Sequence, residues 1–177
     1  MTFNSWLFPL FFAVFYPVYL AVRRTRLASL WLVTASYVFY GWLNPLYVLL
    51  IAYATTVDYL VVARMEKARR KGIWLLVSLV SNIGLLSFFK YGAFVAENLN
   101  VLLGWLGAPL KVPAPGILFP VGISFFTFRS LTYTIDCYRG NIQRERSFLR
   151  YAAFVSLFPM FACGPVERAS NLLPQMR

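Results

Sequence analysis

Residues 119–140 read FPVGISFFTFRSLTYTIDCYRG, and the fold turns on them. The stretch is greasy enough to cross a bilayer, yet it carries Pro120, Gly122, Arg129 and Asp136, which a lipid-facing helix avoids. Arg129, Thr132, Tyr133 and Asp136 fall at i, i+3, i+4 and i+7, so a helix places them on one face. Arg129 and Asp136 then lie about 10 Å apart along the axis, too far for a close ion pair on a regular helix. Each needs a partner on another helix, in a water-filled cavity or at the interface. An ionisable residue inside a span costs about 2.5–3.5 kcal/mol on insertion scales, which makes this face a candidate site. The alternative for Asp136, near the end of the stretch, is a pairing with a loop arginine such as Arg139.

The rest of the chain fits a membrane reading. Of 177 residues, 60% are hydrophobic and 13% charged, with a mean hydropathy of +0.65. Soluble domains are about half apolar and a quarter charged. The net charge of +11 comes in short basic groups between apolar runs, the pattern of cytoplasmic loops rather than of a nucleic-acid-binding surface. Cys137 and Cys163 form no CxxC pair and suggest neither a disulfide framework nor a metal site. Histidine is absent, which removes the commonest general base and metal ligand from these residues.

A helix crosses the hydrocarbon core with about 17–25 apolar residues. Residues 3–22, 27–43, 46–63, 73–89 and 117–138 are read as five spans. Residues 91–106 are read as an amphipathic helix along the interface, and 148–163 as a last apolar run that Pro159 interrupts. The predicted fold is an all-α polytopic transmembrane bundle of five to six membrane segments plus one interfacial helix, with residues 1–177 forming a single membrane domain. With the N-terminus outside the cytoplasm, the basic groups 23–26, 64–71 and 139–150 all fall inside, and the outer loops carry only Lys90, Glu97 and Lys111. Topology beyond residue 147 stays open, because Arg168 and Arg177 spoil the pattern if the last run crosses fully.

Asp58 lies inside the third span, as a proton site or, better supplied, as an interhelical partner for Arg129. Gly122–Phe126, GISFF, begins like a nucleophile elbow, but Phe126 stands where the second glycine is required. No phosphate-binding glycine loop or HExxH helix is present. Residues 158–175, FPMFACGPVERASNLLPQ, pass from an apolar run through Gly164-Pro165 to Glu167 and Arg168. Those two charges line a cavity, or mark a solvated exit from the membrane.

Two segments together carry a family resemblance: FPVGISFFTFRSLTYTIDCYRG and, some twenty residues later, FPMFACGPVERA. They resemble the membrane-bound O-acyltransferase family, in the bacterial branch typified by alginate O-acetylation proteins. ASYVFYGWLNP (35–45) and LLSFFKYGAFVAENLN (85–100) agree in the same order. The resemblance implies part of a helical acyltransferase of the bacterial inner membrane, with a tunnel through its centre. Such enzymes move an acyl group, here acetyl, from a thioester donor (acetyl-CoA or an acyl carrier protein) to hydroxyls of an exported polysaccharide. It implies no resident cofactor or metal, and as partners the bilayer, extracytoplasmic polysaccharide-modifying proteins, and a further segment supplied in trans. The family's catalytic histidine lies beyond the segments matched, so no catalytic residue is carried over and the chain alone is expected to be inactive. Asp58, Arg129, Tyr133, Asp136, Glu167 and Arg168 remain as cavity-lining or structural polar candidates. A non-catalytic scaffold or docking subunit of a polysaccharide-modification or export complex is the alternative. A small transporter is a third reading, resting on Asp58, Arg129 and Asp136 alone.

Overall fold

The computed structural model describes residues 5–25, 27–42, 44–107, 111–113, 122–160 and 167–176. Among these the chain is helical and contains no strand: α1 (Leu7–Val22), α2 (Leu27–Gly41), α3 (Pro45–Lys67), α4 (Lys71–Trp105), α5 (Ile123–Arg139), α6 (Phe148–Ser156) and α7 (Ala169–Gln175). α3 and α4 are each long and apolar enough to cross a bilayer, and α1 and α2 are shorter apolar helices. The result is a helical membrane bundle with α3 at its centre, touching α2, α4, α5 and α6.

Local chemistry sets the ends. Asn44 caps α3 by accepting the Leu46 N–H at 3.0 Å, with Pro45 in the first turn where its missing N–H costs nothing. α3 runs one turn past its expected end at residue 63. Arg64 and Lys67 thereby enter its last turn, where cations suit the negative end of the helix. α5 is bracketed by Gly122 (φ +82°) and Gly140 (φ +77°), both in the left-handed region that favours glycine. At Gly140 the Asn141 N–H reaches back to the Asp136 carbonyl at 3.0 Å and closes the helix. Pro120 and the start of the expected fifth span lie outside the described residues.

One expectation is corrected. No break separates residues 73–89 from an interfacial helix at 91–106, because α4 is one helix of 35 residues, about 52 Å long at the usual rise. Gly92 is the sole breaker near the join and costs only about 1 kcal/mol in a helix. The polar residues beyond it find partners: Asn98 donates to the Phe94 carbonyl at 2.7 Å, and Asn100 exchanges two bonds with the Val112 backbone at 2.9 and 2.7 Å. The last apolar run, whose topology the sequence leaves open and which Pro159 is expected to interrupt, is interrupted early. α6 has nine residues, about 14 Å, and ends at Ser156 ahead of a 3₁₀ turn at Phe158–Met160. Pro159 has no N–H to give the Val155 carbonyl and its ring would crowd that carbonyl, so an α-helix cannot run through it and the chain turns away at Leu157. Residues 151–156 are all buried, so α6 is an internal strut. Its end is held across the bundle by the Phe158 N–H donating to the buried Ser36 hydroxyl at 3.2 Å. Phe158 also sits edge-on to Phe15, with ring centroids 4.9 Å apart.

Candidate functional site

Asp58, on α3, is fully buried, and four helices converge on it. Its Oδ1 accepts the Ser78 hydroxyl at 2.5 Å, and its Oδ2 accepts the Asn82 amide at 2.7 Å and the Ser130 hydroxyl. Ser78 and Asn82 are one turn apart on α4, so a single helix face supplies both donors. Ser130, on α5, also pairs with the Tyr151 hydroxyl of α6 at 2.8 Å. These hydrogen bonds meet the polar demand of the carboxyl group in a dry interior without a cation beside it.

The expected Asp58–Arg129 pairing does not form, and neither makes an ion pair among the described residues. Successive helical residues point about 100° apart. Ser130 faces Asp58, so Arg129 is turned toward α6. There its Nη1 donates to the carbonyls of Phe154 and Val155, at 3.0 and 3.4 Å, with the Phe154 ring 5.8 Å away. The last carbonyls of a helix lack intrahelical donors and carry its negative end, so a buried guanidinium is well matched to them. α7 packs against the same helix, α5. The Arg129 Nε has no hydrogen-bond partner among the described residues.

The other candidates divide. Tyr133 is fully buried, accepts the Glu145 N–H at 2.9 Å, and packs its ring 4.6 Å from Tyr151. It ties α5 to the 140–147 loop and to α6. Asp136 is only half-buried and takes Asn141, at 3.2 Å, as its loop partner in place of Arg139. Thus the face read from sequence runs from a buried middle to a wet end. Glu167 is half-buried and Arg168 exposed, so these neighbours split between the interior and the surface. Cys137 is a half-buried free thiol, while Cys163 and Gly164-Pro165 lie outside the described residues.

The sequence reading missed Ser78, Asn82, Ser130, Tyr151 and Ser36. The available signal was the i, i+4 pair Ser78 and Asn82 in an otherwise apolar run, since paired polar residues in a span seek an interhelical partner. No group of three or more metal-binding side chains occurs among the described residues. Nor is any hydroxyl set against a histidine, because the sequence has none. The arrangement holds a hydrogen-bonded carboxyl group in the bundle centre and a guanidinium against the end of a short helix, and so fixes how α3, α4, α5 and α6 meet.

These features define a polytopic helical membrane protein built around a buried polar centre. The chain is similar to the probable alginate O-acetylase AlgI of Pseudomonas aeruginosa, 37% identical over 172 residues, covering 93% of this chain and 33% of that protein. It is 36% identical over 174 residues to the corresponding protein of Azotobacter vinelandii, again covering 33% of it. A peptidoglycan O-acetyltransferase of Helicobacter pylori is 30% identical over 204 residues, of which the chain covers 38%. No protein-family model matches the chain, and no solved structure does at the same stringency. The chain spans about a third of the length of the curated relatives it matches. Over that third it is homologous to alginate O-acetylases and to a peptidoglycan O-acetyltransferase, at 30–37% identity.

Proposed function

We propose that residues 1–177 form part of the membrane body of an O-acetyltransferase that places acetyl groups on hydroxyls of an exported polysaccharide. The reading rests on the alignment with alginate O-acetylases across nearly the whole chain. In its support, Arg129 of the first motif segment is held by the carbonyls of Phe154 and Val155 in α6, the helix that leads into the second segment. The acyl group comes from a thioester donor, acetyl-CoA or an acyl carrier protein, and the polymer is met outside the cytoplasm. With no histidine among these residues, the general base that takes the acceptor's proton is supplied from elsewhere. The chain sits in the inner membrane with its N-terminus outside the cytoplasm. That orientation is favoured by the meeting of two basic segments at one end of the bundle, where Arg144 pairs with Glu66 at 3.2 Å.

The test is complementation in a bacterium deleted for its alginate O-acetylase, with acetyl content of the exported polymer as the readout. Residues 1–177 alone restore nothing. The same residues together with the histidine-bearing remainder of a relative restore acetylation. Restoration by residues 1–177 alone would overturn the division of labour. A pair that co-purifies, folds and still transfers no acetyl group would favour the scaffold reading. A protease site placed in the 140–147 loop resists external protease in intact spheroplasts if the orientation is right.

A further inference from the structure

A cavity of about 330 Å³ opens where the basic segments gather, with Glu66, Lys71, Arg144 and Arg146 on its polar side and Val62 and Ile142 on its apolar wall. Its charges do not balance. Arg144 is committed to Glu66 at 3.2 Å and to the face of Tyr59 at 5.2 Å. Lys71 and Arg146 are exposed and have no ion-pair partner among the described residues. The backbone of Arg146 is nonetheless fixed, because its carbonyl accepts the Tyr59 hydroxyl at 2.5 Å. Lys71 opens α4 directly after Arg69 and Arg70, with no acidic residue in the first turn. A helix start is itself positive and presents N–H groups without intrahelical partners, so cations crowded there oppose the dipole. An anion at this mouth answers both the unpaired cations and the helix end.

We propose that this cavity binds a phosphate group, held by Lys71 and Arg146 at the start of α4. Two cations and a helix end suit a phosphate, and the apolar wall suits the carbon skeleton attached to it. The phosphate belongs either to an anionic lipid headgroup or to a soluble phosphate, and the chemistry of recognition is the same. The inference stands whether or not the chain takes part in acyl transfer.

The full chain is placed in nanodiscs of phosphatidylcholine alone, of phosphatidylcholine with phosphatidylglycerol, or of phosphatidylcholine with inorganic phosphate added. Thermal midpoint and native mass spectrometry are the readouts. Wild type gains stability and retains the probe, while Lys71→Gln with Arg146→Gln lowers apparent affinity at least about tenfold. Both side chains are exposed, so the double variant keeps the wild-type midpoint in phosphatidylcholine. The milder Arg146→Gln alone reports the same loss, in smaller measure, should the pair fold poorly. A response to phosphatidylglycerol and not to phosphate assigns the lipid source, and a response to phosphate assigns the soluble one. Arg23→Gln with Arg24→Gln, at the other basic turn, binds as wild type. If that control loses as much as the cavity variant, the attraction is diffuse surface charge and the site is refuted. No response to either probe refutes it as well.

Discussion

α3 and α4 share an apolar composition and live in different solvents. The apolar window of α3 is 39% buried and that of α4 is 11% buried. α3 carries Asp58 into the bundle centre, where neighbours on α4 and α5 saturate it. Past Asn82, α4 keeps one edge on the bundle through Leu85, Leu86 and Phe89. On its other side Phe88, Tyr91 and Val95 are exposed along an open apolar groove of about 570 Å³. In lipid, apolar side chains gain little by packing on one another, so cohesion falls to polar contacts and close fit. The cohesive part of this bundle is therefore the part with polar residues inside it.

Breaking the centre should cost most. Asp58→Leu leaves the Ser78, Asn82 and Ser130 donors buried without an acceptor, and should destabilise the bundle by about 3–5 kcal/mol in detergent unfolding. Asp58→Asn keeps an acceptor and should lose about half of that. Arg129→Met strips the carbonyls of Phe154 and Val155, at an expected cost of about 2–4 kcal/mol by the same measurement. Ser36→Ala removes the acceptor for the Phe158 N–H and should cost about 1 kcal/mol, with faster proteolysis after α6 as a second readout. Asp136→Asn, half-buried with only Asn141 beside it, should stay within about 0.5 kcal/mol, and so should Phe88→Leu on the bare face of α4. If Phe88→Leu matched Asp58→Leu, the contrast between the two regions would collapse.

Much of this was readable from residue types. The buried face of α5 was legible because Arg129 and Tyr133, one turn apart, could only share a face, and both are buried. Asp58 was legible as an interior residue. Its partners were not, because an aspartate at one position does not say which of several helices will supply its donors. Arg129 was expected to seek a carboxylate. It found helix-end carbonyls instead, which exist only because α6 stops at Ser156. The continuous α4 was misread for a related reason: Asn98 and Asn100 look like interruptions until their backbone partners are known.

The Ser36–Phe158 contact joins residues 122 apart in the chain. At roughly 5–20 residues per second of synthesis, Ser36 is made about 6–24 s before Phe158 exists. For that interval α2 is already in the membrane with an inward hydroxyl and an aromatic socket of Phe15 and Phe39 waiting to be filled. Assembly of this bundle is thus a matter of timing as well as of fit: α1 and α2 must stay open until a nine-residue strut, translated more than a hundred residues later, arrives to close them.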